Sequence, residues 1–379
     1  MTAGVIGATG YAGAELVRLL SGHPEAHNLL LSSVSFEGER MEDVYPNLLG
    51  AVRASLLKSE EVARGADLVF SALPAGAGEI YAKICADRAV PFIDLSADFR
   101  FDDDEETYSA WYGKPYAHPE LHSLSVYGLP ELNRSLIKER AAAGKLIIGN
   151  PGCYPTGATL GAYPALAKGL AGPGTIIVDS ASGASGGGRE PSRSFHYPEC
   201  ADSFSPYKVG AHRHTPEIAR NFSAIAAHNG VPAPAVIFTP HLAPMNRGIL
   251  STIYIPLAQA WQLSPAAKES GSCSMPRILP PVKETEEKTK EIRRVYMDFY
   301  NDESFVRVLP AGLTASTNRV RQSNYCDISV HLDHSGSVLI IASAIDNMVK
   351  GAAGQAIQNM NLIFGYDEKT GLEAIPALF

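Results

Sequence analysis

The sequence predicts an α/β protein, a Rossmann-type doubly wound parallel sheet followed by a second α/β unit. Three observations carry this. The first 150 residues alternate short apolar runs with helix-like segments, the signature of βαβ units. The first run ends in a glycine-rich turn, Gly7-Ala8-Thr9-Gly10-Tyr11-Ala12-Gly13, that opens the first helix. Beyond Asn150 the texture becomes β-rich, as expected of a mixed or antiparallel sheet.

Taken in order, strands are predicted over 3–7, 28–34, 66–73, 90–95 and 146–149, with a helix over 14–21. The polar, aromatic stretch 100–124 reads as loop. In the second unit, strands are predicted over 172–180, 235–239, 249–256, 326–332 and 338–344. Residues 182–189 form a flexible Gly/Ser loop, and 262–281 a surface insertion. Residues 284–300 carry the spacing of an exposed amphipathic helix. Helical spacing with small residues over 345–364 predicts close packing on another element. The change of texture at Asn150 divides the chain into a nucleotide unit, 1–149, and a second unit.

Composition narrows the function classes. The 379 residues carry 32 Lys+Arg against 40 Asp+Glu, a formal charge of −8. An acidic chain with no basic block does not suit nucleic acid or an anionic membrane. No apolar run reaches the ~18 residues of a membrane span. The opening residues have no basic leader, so the fold is expected to start at Met1. Five cysteines, with no C-x-x-C pair, argue against a disulfide framework and for free thiols in a reducing cytoplasm.

Glycines 7, 10 and 13 have the spacing G-x-x-G-x-x-G, a variant of the dinucleotide fingerprint. Such a turn lets backbone N–H groups approach a pyrophosphate at a helix N-terminus. Thr9, Tyr11 and Ala12 belong to the same turn. Leu73 and Pro74, at the end of the third strand, are expected either to pass close to the cofactor in the same crevice or to form a plain strand-to-helix turn. The second strand ends in Ser32, Ser33 and Ser35 with Arg40 beyond, and has no acid at its tip. Hydroxyls with an arginine suit a 2′-phosphate, so NADP is expected over NAD.

The nucleophile candidate is Cys153 in Asn150-Pro151-Gly152-Cys153-Tyr154-Pro155-Thr156, a rigid turn before a helical run over 156–168. A helix N-terminus there is expected to lower the thiol pKa. Cys85 and Cys326 look structural. Two histidines, His212 and His214, precede another helix and suit proton transfer. His214 is preferred, and His212 stays the alternative. Glu217, three residues on, is expected to orient the ring. No third ligand accompanies the His-x-His pair, so no metal is expected. Arg100 either clamps an anion or pairs with Asp98 or Asp102. Residues 182–189, including Ser182, Gly183 and Arg189, either cradle an anion or act as a hinge. Tyr207 completes the expected substrate set with Arg100, Ser182, Arg189 and Glu217.

Together these residues resemble the N-acetyl-γ-glutamyl-phosphate reductase family. The resemblance spans nearly the whole chain: GATGYAG (7–13), SADFR (96–100), GLPELNR (128–134), NPGCYPT (150–156), SGASGGGR (182–189), AHRHTPEI (211–218), RGILST (247–252), SNYCDI (323–328) and AIDNMVKGAAGQAIQNMN (344–361). It implies a catalytic and dimerisation domain over 150–345, of the glyceraldehyde-phosphate and aspartate-semialdehyde dehydrogenase type, and a C-terminal helix over 346–379 that returns to the nucleotide unit. It also implies NADPH-dependent reduction of N-acetyl-glutamyl 5-phosphate to the 5-semialdehyde in arginine biosynthesis. Cys153 would carry a thioester, a histidine would move the proton, and Asn347 would lie near the nicotinamide. A small-molecule substrate and a homodimer or homotetramer are expected. The 262–281 stretch is longer than the resemblance implies. Aspartate-semialdehyde dehydrogenase, or an aminoadipyl-phosphate reductase of lysine biosynthesis, would use the same thiol, base and cofactor. A cofactor-binding sensor without chemistry would have no use for a poised thiol.

Overall fold

The computed structural model describes residues 1–102, 104–144, 146–263 and 283–378, and among these two seven-stranded sheets organise the chain. The first is built by β1 (Thr2–Ile6), α1 (Tyr11–Leu20), β2 (Asn28–Ser32), α2 (Met41–Val44), β3 (Leu56–Leu57), α3 (Ser59–Gly65), β4 (Leu68–Ser71), α4 (Glu79–Asp87), β5 (Phe92–Asp94), α5 (Glu105–Tyr112), β6 (Ser125–Tyr127), α6 (Pro130–Ala142) and β7 (Ile147–Gly149). Its order is β3-β2-β1-β4-β5-β7-β6, parallel throughout. The strand order reverses between β1 and β4, so a crevice opens at their carboxyl ends. Gly7 lies there with φ +80°, and a Cβ on it would sit 2.8 Å from the Ala72 carbonyl oxygen. Only glycine lets the two strand ends come this close.

The second unit runs α7 (Cys153–Ala167), β8 (Thr175–Ser182), α8 (Tyr197–Cys200), β9 (Ser205–Pro206), α9 (Thr215–His228), β10 (Ala235–Leu242), β11 (Ile249–Pro256), α10 (Lys283–Phe299), β12 (Val306–Val308), β13 (Cys326–Leu332), β14 (Val338–Ile345) and α11 (Gly354–Phe364). Its sheet, β12-β13-β14-β11-β8-β10-β9, is mixed. The strict burial alternation of β11 turns Ile249, Ile253 and Ile255 toward α7 and α10, where Leu160 and Tyr296 complete the core. The opposite face is open: Ile237, Ile177, Tyr254 and Ile340 stand side by side across four strands. Ile237 is 52% exposed. Helix α11 leaves this sheet and buries Ala356, Ile357 and Met360 with Leu16 and Ile148 of the first unit.

Three expectations need correction. Residues 100–124 are not loop. Asp104 caps α5 by accepting from the Thr107 N–H at 3.1 Å, and Gly113 ends it with φ +70°. The buried face is aromatic, with Tyr108 inside, so no aliphatic period announced it. Residues 345–364 are not one helix: β14 ends at Ile345, a π turn spans Val349–Ala353, and α11 begins at Gly354. Residues 182–189 are not a free hinge either. The Gly183, Ala184 and Ser185 N–H groups bond to the Gly248, Met245 and Asn246 carbonyls. Most of the 262–281 insertion lies outside the described residues. Short strands β3, β6, β9 and β12 had no sequence signal. Among the described residues, no helix is long and apolar enough to cross a membrane.

Candidate active site

Strand β7 delivers Asn150-Pro151-Gly152 to the crevice, and α7 starts at Cys153 itself, three residues earlier than expected. The turn is tied from several sides. The Asn150 N–H donates to the Asp94 carbonyl at 2.8 Å, and its carboxamide donates to the Ala352 carbonyl at 3.1 Å. The Gly152 N–H donates to Glu217 Oε1 at 2.8 Å. A Cβ at Gly152 would lie 2.6 Å from His214 Nε2, so glycine is what lets the imidazole approach the nucleophile turn. Across the turn, a Cβ at Gly351 would lie 2.9 Å from Cys153 Cβ. The π turn therefore closes over the thiol from behind.

Cys153, His212, His214, Arg100, Tyr207 and Ser182 line one cavity of about 490 Å³. Sequence reasoning also missed members of it: Tyr154, whose hydroxyl is 2.9 Å from that of Tyr207, and the cations Lys208 and Arg213. Lys208 sits in the left-handed region (φ +46°), as do Ala89, Asp102 and Gln322. No ion pair holds its ammonium among the described residues, and Arg213 stacks on the Tyr112 ring at 5.3 Å. The Arg213 signal was present, between the two histidines. That of Lys208 was not, since its loop lacks any motif.

Electrostatics overturn one expectation. Burial pushes the Cys153 thiol up to about 11, although Arg100 and the Tyr154 N–H pull the other way. The helix N-terminus does not compensate for loss of water, so Cys153 rests as a neutral thiol. Burial, then neighbouring His212, Arg100, Arg213 and Lys208, hold His214 well below the ordinary histidine range. Burial likewise brings His212 down to about 4. Both rings are neutral near pH 7. They differ in their partners. His212 Nδ1 accepts from the His214 N–H at 3.1 Å, and its ring packs edge-on against Tyr154, Tyr207 and Phe238. His214 Nδ1 is buried and has no hydrogen-bond partner among the described residues.

Glu217 does not orient His214. Its carboxylate is filled by the Gly152 N–H, the Tyr127 hydroxyl at 2.8 Å and Arg100 Nη1 at 3.2 Å, and it lies behind the cavity rather than in its lining. Arg100 pairs with this carboxylate, not with Asp98 or Asp102. Its Nε and Nη2 also donate to the Asn150 and Leu95 carbonyls, each at 2.8 Å. Most of its fork is spent holding the nucleophile turn. Asp102 pairs instead with Arg220. Cys85 and Cys326 are buried, and burial pushes both thiols up to about 12, as inert core residues.

The glycine turn forms a tight cradle. A Cβ on Gly13 would fall 2.2 Å from the Gly7 carbonyl oxygen, and Gly10 caps α1 with no side chain, leaving the first N–H groups of the helix open. Thr9 Oγ1 bonds to Ser33 Oγ at 2.7 Å. Ser32 is turned away: its hydroxyl meets Ser59 at 3.0 Å and the residue is buried. Ser35 is exposed, while Arg40 pairs with Glu42 at 3.1 Å. Arg189 is absent from the substrate cavity. It donates to the Thr9 carbonyl at 3.0 Å and stacks near Phe36 and Tyr45. Its Gly-rich tether carries it across to the crevice. Leu73 borders Gly7. The Asn347 carboxamide accepts from the Gly248 N–H at 2.7 Å and donates to Ser185 at 3.0 Å, fixing the turn that holds Gly183. No group of three or more metal-ligating side chains exists among the described residues.

Two family models match the chain. The semialdehyde dehydrogenase NAD binding domain covers residues 2–140, and the semialdehyde dehydrogenase dimerisation domain covers 153–269 and 278–347. A curated relative from Clostridium beijerinckii, named N-acetyl-gamma-glutamyl-phosphate reductase, is 47% identical over 376 residues, covering 99% of each chain. One of the same name from Brachyspira hyodysenteriae is 45% identical over 377 residues, with 99% of both chains covered. Among solved structures, aspartate semialdehyde dehydrogenase II from Vibrio cholerae superposes with a TM-score of 0.67 at 16% identity, covering 96% of this chain and 98% of that one. That likeness is one of fold.

Proposed function

The chain belongs to the semialdehyde dehydrogenase family and, within it, to the N-acetyl-γ-glutamyl-phosphate reductases; from that premise we propose that Cys153 is its nucleophile and His214 its acid/base. The reaction is reduction of N-acetyl-L-glutamyl 5-phosphate to N-acetyl-L-glutamate 5-semialdehyde with release of phosphate. The observation that carries the residue assignment is one cavity lined by a thiol at a helix N-terminus, an imidazole whose buried Nδ1 has no hydrogen-bond partner among the described residues, and two cations, Lys208 and Arg213, with no carboxylate partner among them.

The thiol proton passes to neutral His214 as sulfur attacks the acyl carbon. The C–O bond to phosphate breaks, the departing phosphate takes a proton from water, and a thioester remains on Cys153. N–H groups at the start of α7 face the sulfur and the developing oxyanion, a contribution of ~3–4 kcal/mol per donor in related sites. The nicotinamide coenzyme, when bound, supplies the hydride that reduces this thioester. His214 then returns its proton as the carbon–sulfur bond breaks and the aldehyde leaves. His212, locked by its bond to the His214 N–H, positions rather than transfers.

The substrate brings a phosphate and a carboxylate. Arg100 is largely occupied, so Lys208 and Arg213 are the cations assigned to these anions. Lys208→Ala is expected to raise KM by ~10-fold with kcat little changed, as for loss of uniform binding. A kcat loss with KM unchanged would contradict that assignment. Ser182, Tyr154 and Tyr207 complete the wall.

We infer NADP as the coenzyme. The cradle of Gly7, Gly10 and Gly13 fits a pyrophosphate. Ser33, Ser35 and Arg189 suit the additional phosphate, Arg40 being engaged elsewhere. Arg189→Leu is expected to raise KM for NADPH by ~10-fold while moving NADH far less. Equal loss with both coenzymes would assign Arg189 to the pyrophosphate. Oligomerisation is assigned to the open face of the second sheet, through Ile177, Ile237 and Tyr254. Ile237→Asp is expected to shift the sedimentation profile toward monomer. The unit boundaries 1–149, 150–345 and 346–379, and a cytoplasmic site of action, complete the reading.

A further inference from the structure

A second cleft, of about 580 Å³, lies on the far side of Glu217 from the catalytic cavity, walled by α6, α7, α9 and α10. Its floor is Tyr127 and Asn221. The one hydroxyl proton of Tyr127 goes to Glu217 Oε1, so the oxygen must accept from Asn221 Nδ2, at 2.9 Å. Nδ2 also donates to Thr159 Oγ1 at 3.0 Å. These two bonds fix the carboxamide orientation. Asn221 Oδ1 is left without a donor among the described residues, on a side chain that lines the cleft.

The rim supplies the complementary charge. Lys168 lies over the Phe299 ring at 5.6 Å and has no carboxylate partner among the described residues. Arg220 is neutralised by Asp102. One unpaired cation therefore faces the space. Tyr163, Phe299 and Leu136 provide apolar walls. The C-terminal ends of α7 and α9 also border it, and their carbonyls favour an N–H donor.

We propose that this cleft is a second ligand site, for a small monocarboxylate carrying an N–H donor, of the amino-acid or N-acylamino-acid class, coupled to catalysis through Tyr127 and Glu217. The carboxylate meets Lys168, the N–H meets Asn221 Oδ1, and the aliphatic part lies against the aromatic walls. The coupling path is short. Asn221 holds Tyr127, Tyr127 holds Glu217, and Glu217 holds both the Gly152 N–H and Arg100 of the nucleophile turn. A ligand that engages Asn221 changes the hold on that turn, and coupling follows from any difference in affinity between its two arrangements.

The probe is N-acetyl-L-leucine, titrated calorimetrically into full-length enzyme whose Cys153 has been alkylated to block the catalytic cavity. This arm does not rest on the reductase reading, because it needs no turnover. One molecule is expected to bind per chain, ~10-fold more weakly in Lys168→Ala and not at all in Ala224→Trp, whose indole fills the cleft. Neither residue belongs to the catalytic machinery, and circular dichroism checks that both variants fold. Should Ala224→Trp misfold, Lys168→Ala decides alone. In unmodified enzyme, the probe is expected to change kcat or KM in the wild type and not in Ala224→Trp. No binding at ~10 mM, weaker than most functional affinities, would overturn the proposal. So would binding untouched by either substitution, or binding that leaves kcat and KM unaltered.

Discussion

Replacing Cys153 by alanine is expected to lower kcat by at least ~10⁵-fold, the scale on which loss of a covalent nucleophile acts, while NADPH affinity stays within a few-fold of wild type. The separation follows from geometry. The thiol belongs to the β7–α7 turn and the substrate cavity, whereas the glycine cradle lies at the ends of β1 and β4. Stopped-flow turnover and coenzyme fluorescence titration check the two halves. Turnover by the alanine variant within ~10-fold of wild type would end the assignment, because no other thiol lines this cavity among the described residues.

His214→Asn is expected to reduce kcat by ~10²–10⁴-fold, the usual contribution of a general base, with KM nearly unchanged. The pH dependence sharpens this. With the thiol pushed up to about 11, deprotonation is lost at neutral pH and gained as pH rises. Only ~1 thiol in 10⁴ is ionised near pH 7, so a base must take the proton during attack. Alkylation of the free enzyme by iodoacetamide should therefore accelerate ~tenfold per pH unit through the alkaline range. A plateau from pH 6 upward would mean a preformed thiolate. Turnover should instead fall on the acid side, when His214, ordinarily neutral, is protonated and can no longer accept. In His214→Asn the alkaline dependence of alkylation should persist while this acid limb of turnover disappears. His212→Asn is milder on this account, because that ring supports the loop of its neighbour.

Much of the molecule was legible from local signals. The strands ending at Ile6, Ser71 and Gly149 announced themselves as buried apolar runs, and the glycine turn needs glycine for steric reasons that spacing alone reveals. The turn before Cys153 was legible because Pro151, Gly152 and Pro155 restrict it independently of the rest of the fold. What stayed hidden depends on partners distant in sequence. Glu217 reads as a helical neighbour of His214, yet its bonds run to Gly152 and Tyr127, 65 and 90 residues away. Arg189 reads as part of an anion loop, but the fold carries it to Thr9, 180 residues away. The thiol pKa was misjudged for the same reason. A helix N-terminus is visible in sequence, whereas the burial that outweighs it is set by segments distant in the chain, such as Gly351, where a Cβ would lie 2.9 Å from Cys153 Cβ. Helix α5 was missed because aromatic side chains, rather than an aliphatic stripe, bury its inner face.

The most direct measurement is a single-turnover mixing of enzyme with N-acetyl-L-glutamyl 5-phosphate in the absence of coenzyme. The account predicts a burst of about one phosphate per chain, as an acyl-enzyme accumulates. Intact mass would rise by one N-acetylglutamyl group, mapped by peptide mass spectrometry to Cys153 and removed by hydroxylamine. Adding NADPH should then release semialdehyde at a rate no slower than steady-state turnover. Phosphate release only after NADPH is added, with no adduct on Cys153 although turnover is normal, would contradict covalent capture at this thiol.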